Sequence, residues 1–388
     1  MEIQGCATPE VIASPQSHSS TASDDDVSNR LALIWQEILG FESIGFDQNY
    51  FDLGGDSSLA VQMFAKIEQT FHVKLPLATL YDAPTIEELS PVLRGEVAAS
   101  GWSPLVAIQP GGSRPRFFCV HGAGGTVLMY RELSQHLGPD QPFYGFQSIG
   151  LNGGCPPLTK VEDMAAAYIK DMRKVQPHGP YFLGGYCLGG TIAFEMAQQL
   201  HAQGETVALL ALLDTMNWHK IPVNFWTRSS HAVQQWYFHV ASFLSLDNAG
   251  KSKFFKGKRE ALRTRIPVWR GKLLAKFDGG SRRRPSDSLV LGKIWSANDR
   301  ASWNYIAKPY AGVVTDIRPK KQYHVFSKPD LKWDRLARGQ EVIILPAYPA
   351  GMLIEPFVEY LAATLRKLID AASVRCESTI QEEGMAKR

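Results

Sequence analysis

The chain has 388 residues, 45% of them hydrophobic, which predicts two or three globular domains and excludes a wholly disordered protein. Its net charge of +3 is small, and its five cysteines lie at scattered positions that fit neither a disulfide framework nor a zinc site. No run of residues is apolar for long enough to cross a bilayer, and the N-terminus lacks a signal-peptide pattern, so we expect a cytoplasmic protein with no metal and no membrane partner.

The N-terminal quarter contains a linker and a small helical domain. Residues 1–26 are rich in serine, alanine, threonine and aspartate without an apolar period, which predicts a disordered linker that continues from a longer chain. From Val27 onward, apolar residues recur at helical spacing around Trp35, and two further helices are predicted after Asp56 and after Pro84. We therefore expect a small all-α bundle over residues 27–98.

Residues 49–57 read NYFDLGGDS and end where the second helix of this bundle is predicted to begin. The motif resembles the phosphopantetheine attachment site of carrier domains in nonribosomal peptide and polyketide synthetases. The resemblance implies that Ser57 carries a covalent 4'-phosphopantetheine, attached by a phosphopantetheinyl transferase. At a helix N-terminus, backbone N–H groups and the helix dipole favour a phosphodiester. The alternative is that Ser57 only caps the helix.

A second motif, HGAGG at residues 121–125, follows a predicted buried strand. In α/β-hydrolases such a turn supplies one backbone N–H of the oxyanion hole, and the residue after the nucleophile supplies the other. By this resemblance the two donors are the N–H groups of Ala123 and Leu188. His121 is expected to shape the turn.

The sequence GGYCLGG at residues 184–190 fits the nucleophile elbow, Gly-x-nucleophile-x-Gly, with Cys187 at its centre. A strand pattern precedes the motif and a buried-helix pattern follows it, as an elbow requires. The glycines at 185 and 189 leave room for the sharp turn. At a helix N-terminus a cysteine is expected to have a lowered pKa and to be partly thiolate without a base. The alternative is a structural cysteine in a glycine-rich loop.

Residues 207–213 form an uninterrupted apolar run that ends at Asp214. This pattern predicts a parallel strand buried on both faces. Catalytic groups of open α/β sheets lie at the carboxyl ends of strands, so Asp214 is a candidate for the carboxylate of a catalytic triad. The alternative is a helix cap or turn aspartate.

Residues 103–370, through these motifs and the segment 333–368, resemble the type I thioesterase domain that ends such synthetases. The resemblance implies an α/β hydrolase: a mostly parallel sheet with helices on both faces and a helical lid in an insertion at about 216–302. The aromatic residues of the insertion either shield an acyl chain or form ordinary helix core. Residues 371–388 show no pattern and are expected to be a disordered tail.

Charge is distributed unevenly along the chain. The net charge is about −6 over residues 27–98 and about +11 over residues 251–284. Without a nucleic-acid-binding motif, the basic stretch does not indicate a nucleic-acid partner. It either receives the acidic carrier domain or forms solvated helix faces.

The histidine of the thioesterase family precedes a Met-Leu-x-Glu-Pro segment, present here at residues 352–356, but no histidine stands before it. Pro349 or Ala350 occupies its place. Either the enzyme works without this residue or Ala350 replaces a native histidine. His324 is a possible substitute base.

Residues 313–356 resemble the releasing domains of single-module quinone and furanone synthetases. Together the resemblances imply that an acyl group on Ser57-linked phosphopantetheine moves to Cys187 and leaves by Claisen-type condensation or cyclisation. A hydrolytic thioesterase and an inactive pseudo-thioesterase that binds carrier-tethered intermediates are the alternatives. The implied partners are the carrier-tethered acyl substrate and upstream synthetase domains of adenylation or ketosynthase type.

Overall fold

The computed structural model describes residues 24–55, 57–97, 102–217, 287–320, 333, 336–347 and 351–386. Two compact units make up the chain, the first centred on Met1–Ser103 and the second on most of the remainder. We describe each unit by itself. Most of the predicted insertion (218–286), His324 and the segment holding Pro349 and Ala350 lie outside the described residues.

The first unit is helical, as predicted. Its helices are α1 (Asp24–Leu39), α2 (Ser57–Phe71), α3 (Thr79–Asp82) and α4 (Ile86–Arg94). Apolar residues at helical spacing meet in its core, where Leu31, Trp35 and Ile67 have no exposed surface. The short helix α3 was not predicted, and α1 begins at Asp24 rather than Val27.

Helix α4 begins where Pro84 and Thr85 predict it. The Thr85 hydroxyl accepts a hydrogen bond from the Glu88 N–H at 3.1 Å, and the Glu88 carboxylate accepts one from the Thr85 N–H at 3.1 Å. This reciprocal pair is a capping box, which satisfies two backbone donors at the helix start.

The described residues of the second unit form a seven-stranded sheet in the order β1-β3-β2-β4-β5-β6-β7. The strands are β1 (Leu105–Gln109), β2 (Phe117–Val120), β3 (Phe143–Phe146), β4 (Tyr181–Tyr186), β5 (Val207–Leu213), β6 (Tyr310–Pro319) and β7 (Ala337–Leu345). Among the described strands, only β1 runs antiparallel to its neighbour, β3. The other described pairs are parallel, which confirms the predicted mostly parallel sheet.

Helices cover this sheet. They are α5 (Arg131–Leu137), α6 (Val161–Val175), α7 (Leu188–Ala202), α8 (Asp287–Asn304) and α9 (Phe357–Ala386). Helix α6 packs on α7, and α9 packs on α5, so the helices form separate pairs as in a layered α/β fold. None of the described helices is both apolar and long enough to pass through a lipid bilayer.

The prediction of a disordered tail from residue 371 is wrong for the described part of that segment. Helix α9 continues without a break from Phe357 to Ala386. Ala372, with 1% of its surface exposed, still packs against the domain. The segment beyond this point includes three glutamates, which favour helix, so the absence of apolar periodicity did not indicate disorder.

Candidate active site

Cys187 lies at a sharp turn between β4 and α7. Its backbone has φ of 56° and ψ of −116°, a region that non-glycine residues rarely adopt. The Cys187 N–H donates to the Leu213 carbonyl of β5 at 2.9 Å, which ties the turn to the neighbouring strand. A strained residue between a strand and a helix is the geometry that a nucleophile elbow requires.

Two glycines make this turn possible, as predicted. A Cβ atom on Gly185 would lie 2.2 Å from the Gly189 backbone, because α7 starts directly against the end of β4. A Cβ atom on Gly189 would lie 2.1 Å from the Val120 carbonyl oxygen. No side chain fits at either position, since real Cβ contacts are longer than 3 Å. The elbow therefore packs closely against the end of β2.

The pKa of Cys187 is raised to about 12, the opposite of the expected direction. Burial of the thiol is the largest cause, and the negative charge of Asp214 is the second. A hydrogen bond from the Leu188 N–H to the sulfur lowers the pKa, and the charge of Asp299 raises it further. The effects of burial and of the two carboxylates on the pKa thus outweigh the effect of the helix N-terminus. The expectation of a partly ionised thiol is wrong.

Asp214 follows the last residue of β5, at the carboxyl end of the strand beside β4. Its backbone φ is 46°, and its N–H donates to the Ile317 carbonyl at 2.9 Å. The structure therefore brings Asp214 within electrostatic range of Cys187. Among the described residues, no histidine contributes to the pKa of Cys187.

The predicted oxyanion turn lies against the elbow. A Cβ atom on Gly122 would be 3.4 Å from the ring of Tyr186, the residue before Cys187. The Gly122 carbonyl accepts a hydrogen bond from the Gly125 N–H at 3.0 Å and contacts His121 Nδ1 at 2.7 Å. The Gly122 carbonyl and the Ala123 N–H belong to the same trans peptide and point in opposite directions. The Ala123 N–H is therefore directed away from the groups that donate to this carbonyl. Within the described part of the chain, no group accepts a hydrogen bond from it.

His121 is fully buried behind the turn, where its pKa is lowered to about 4 by burial. Its Nδ1 faces a carbonyl, which only accepts, so Nδ1 carries the proton. Its Nε2 therefore accepts from the Tyr168 hydroxyl at 2.7 Å. Both ring nitrogens are occupied in holding the turn, consistent with the structural role expected for His121.

Residues of α8 border the turn and were missed by the sequence interpretation. The side-chain amide of Asn298 donates to the Ala123 carbonyl at 3.0 Å. The Trp295 ring would lie 3.6 Å from a Cβ atom on Gly124, and its side chain hydrogen-bonds to Asp299. Asn298 lies 175 residues from Ala123 in an irregular insertion, and no local motif indicates this contact.

In the helical unit, Ser57 is the first residue of α2, as predicted. Gly54 before it has φ of 88°, and a Cβ atom on Gly55 would lie 2.3 Å from the Tyr50 ring. Tyr50 is fully buried and meets Trp35 edge to face at 5.4 Å. The packed ring thus fixes the turn that leads into the helix.

The surroundings of Ser57 fit a phosphopantetheine group. The backbone N–H groups at the start of a 15-residue helix suit a phosphodiester. The first turn of α2 contains no acidic residue that would repel it.

Two family models match the chain. The model of the phosphopantetheine attachment site matches residues 29–92, and the model of the thioesterase domain matches residues 115–240. Both matches cover the motifs described above.

Curated relatives and a solved structure agree with these matches. Malpinin synthetase of Mortierella alpina is 42% identical over 211 residues, 53% of this chain and 3% of that protein. Atromentin synthetase of Tapinella panuoides is 29% identical over 212 residues, 53% of this chain and 22% of that protein. A holo four-domain nonribosomal peptide synthetase, crystallised with AMP and glycine, matches 93% of this chain and 27% of its own at 26% identity and a TM-score of 0.55. The chain thus spans less than a third of each of these proteins.

Proposed function

We propose that this chain, which joins a phosphopantetheine attachment domain to a thioesterase domain, is the releasing didomain of a thiotemplate synthetase. Its relatives include nonribosomal peptide synthetases, of which it corresponds to a small part. Upstream synthetase domains of adenylation or ketosynthase type would supply the acyl group.

In this proposal Ser57 carries the cofactor. Phosphopantetheine supplies a thiol that holds the acyl chain as a thioester. The first N–H groups of α2 stabilise the phosphodiester, and the turn at Gly54 and Gly55, packed on Tyr50, presents residue 57 at the helix start.

Cys187 is the proposed acceptor of the acyl group. The observation that carries this assignment is the position of its sulfur at a strained strand–helix elbow, within hydrogen-bonding reach of the Leu188 N–H. Attack of the sulfur on the acyl carbon forms one C–S bond and breaks another, and the Cys187 proton ends on the departing sulfur. Exchange of one thioester for another is nearly balanced in energy. The N–H groups of Ala123 and Leu188 would stabilise the negative oxygen that develops.

A pKa of about 12 means that the Cys187 thiol is protonated at neutral pH. The proton must therefore leave as the new C–S bond forms. Asp214 and Asp299 are the described carboxylates whose charges act on the sulfur. Neither favours the thiolate, so we expect transfer to Cys187 to be slow compared with an elbow that has an imidazole beside it.

Release by a carbon nucleophile or by cyclisation is proposed over simple hydrolysis. A thioester acidifies its α-carbon more than an oxygen ester does, which favours carbon–carbon bond formation. Water, in contrast, needs a general base, typically worth 10²–10⁴-fold in rate. Among the described residues, no histidine belongs to the groups that shift the pKa of Cys187.

The raised pKa of Cys187 also favours a second candidate, a catalytically silent module that binds carrier-tethered intermediates. Mass spectrometry separates the two. The holo protein is loaded with an aryl or alkyl acyl group, and the peptide that contains Cys187 is followed over time. The proposal expects an acyl adduct on this peptide, absent in Cys187→Ala, and a condensed or cyclic product. A free acid as the sole product would indicate hydrolysis. If neither the aryl nor the alkyl acyl group forms an adduct on this peptide, the result would support the silent module.

A further inference from the structure

Helix α8, at the C-terminal end of the insertion, packs along the turn that contains Ala123. A Cβ atom on Gly125 would lie 2.6 Å from Ile294, and one on Gly124 would lie 3.6 Å from the Trp295 ring. Asn298, one helical turn further on, reaches the Ala123 carbonyl at 3.0 Å. One face of α8 therefore contacts three consecutive residues of the turn.

The peptide groups on both sides of Ala123 are held by hydrogen bonds. On the N-terminal side, His121 Nδ1 and the Gly125 N–H donate to the Gly122 carbonyl. On the C-terminal side, the donor to the Ala123 carbonyl is Asn298. The Gly122 carbonyl and the Ala123 N–H share one peptide plane, so fixing that carbonyl fixes the direction of the N–H. The hydrogen bond from Asn298 fixes the next peptide plane, on the other side of the Ala123 Cα. Asn298 is the member of this set that belongs to the insertion rather than to the turn.

The burial of Asn298 indicates a specific role for its amide. Its side chain has no exposed surface, and its Nδ2 must face Ala123 because a carbonyl only accepts. Its Oδ1 is buried without a hydrogen-bond partner in the described structure. The hydrogen bond that its side chain makes in the described structure is the one donated to the Ala123 carbonyl.

We propose that Asn298 is a positioning residue of the oxyanion hole, whose side-chain amide links the Ala123 peptide to insertion helix α8. The inference rests on the proposed acyl transfer to Cys187. Any displacement of α8 would then move the Ala123 carbonyl and, through the Ala123 Cα, shift the adjoining peptide that carries the N–H of the oxyanion hole. Misplacement of a catalytic group by about 1 Å can cost about 10²-fold in rate.

Two reactions of Cys187 test this role. Acylation by an N-acetylcysteamine thioester of phenylacetic acid develops an oxyanion, whereas alkylation by iodoacetamide does not. In Asn298→Leu, which keeps the size and removes the donor, and in Asn298→Ala, we expect the maximal acylation rate to fall by about 10- to 100-fold. The KM for the thioester and the alkylation rate should stay close to those of the wild type.

Asn304→Leu is the matched control, because Asn304 is exposed on the same helix. It should leave both reactions unchanged. Equal slowing of acylation and alkylation in the Asn298 variants would mean a general loosening of the site and would overturn the inference, as would unchanged acylation. A wild-type protein that is alkylated but never acylated would contradict the proposed function itself, and this inference with it.

Discussion

Asp214 and Cys187 follow the ends of adjacent parallel strands, and the charge of the aspartate raises the pKa of the cysteine. In a catalytic triad the carboxylate acts through an imidazole that lies between it and the nucleophile. Here its described effect on the sulfur is direct and unfavourable to the thiolate. The chemistry of the site therefore depends on how the proton of Cys187 is removed.

Replacing Asp214 by asparagine should lower the pKa of Cys187. Removal of the negative charge favours the thiolate, while the burial of the thiol, which is the larger cause, remains. The pH dependence of iodoacetamide alkylation reports this pKa, because only the thiolate reacts. Alkylation at pH 9 should be faster in Asp214→Asn than in the wild type. Asp299→Asn should give a smaller increase in the same direction, and a slower reaction in both variants would refute this electrostatic account.

Protonation of His121 should destabilise the thioesterase domain at acidic pH. Its folded-state pKa of about 4 lies below the ordinary histidine pKa of 6.5, so the unfolded chain binds the additional proton. The stability contributed by neutral His121 is complete above about pH 6.5 and is lost as the pH falls toward 4, by up to about 3 kcal/mol. Urea unfolding across this range measures the loss. His121→Asn should flatten the dependence, whereas His201→Gln, a change at an exposed residue of α7, should preserve it.

Tyr168→Phe should weaken the support of the oxyanion turn. The change leaves the buried Nε2 of His121 without its donor, at a cost of about 1–3 kcal/mol in the free energy of unfolding. Tyr144→Phe is the control, because Tyr144 is also buried but stacks on Phe118 through its ring. Denaturant titration compares the two variants. Equal losses would show that the Tyr168 hydroxyl does not support His121.

Gly185→Ala should disrupt the elbow. The new methyl group would overlap the Gly189 backbone, which cannot move aside as a flexible side chain could. We expect a loss of stability of about 3 kcal/mol or more, together with loss of Cys187 acylation. Gly292→Ala is the matched control on α8, where a Cβ atom meets nothing within 4 Å. That substitution should be neutral or slightly stabilising by melting temperature. A Gly185→Ala variant as stable as Gly292→Ala would contradict the close approach.

The features that sequence reasoning predicted are those encoded by short, contiguous motifs. The turn at Cys187 depends on glycines two residues away, and the turn before Ser57 depends on Gly54 and Gly55, so both can be read locally. The mostly parallel sheet follows from apolar runs such as 207–213, which suit strands buried on both faces.

The features that were missed depend on packing between distant segments. The sequence indicates that Cys187 stands at a helix N-terminus, a position that lowers the pKa of a thiol. It does not indicate that this thiol is buried, and burial raises the pKa by more. Asn298 reaches Ala123 from the far end of an insertion without a repeating pattern. The helical continuation of α9 was missed because a helix that is already formed can extend into residues without an apolar stripe.

The most direct test of the account follows one acyl group between two peptides of the same protein. The holo protein is loaded, quenched at intervals and digested, and acyl mass is measured on the peptides containing Ser57 and Cys187. If Cys187 accepts the acyl group, acyl mass leaves the Ser57 peptide and appears on the Cys187 peptide before product forms. Product that forms in Cys187→Ala at the wild-type rate, with acyl mass confined to Ser57, would contradict it.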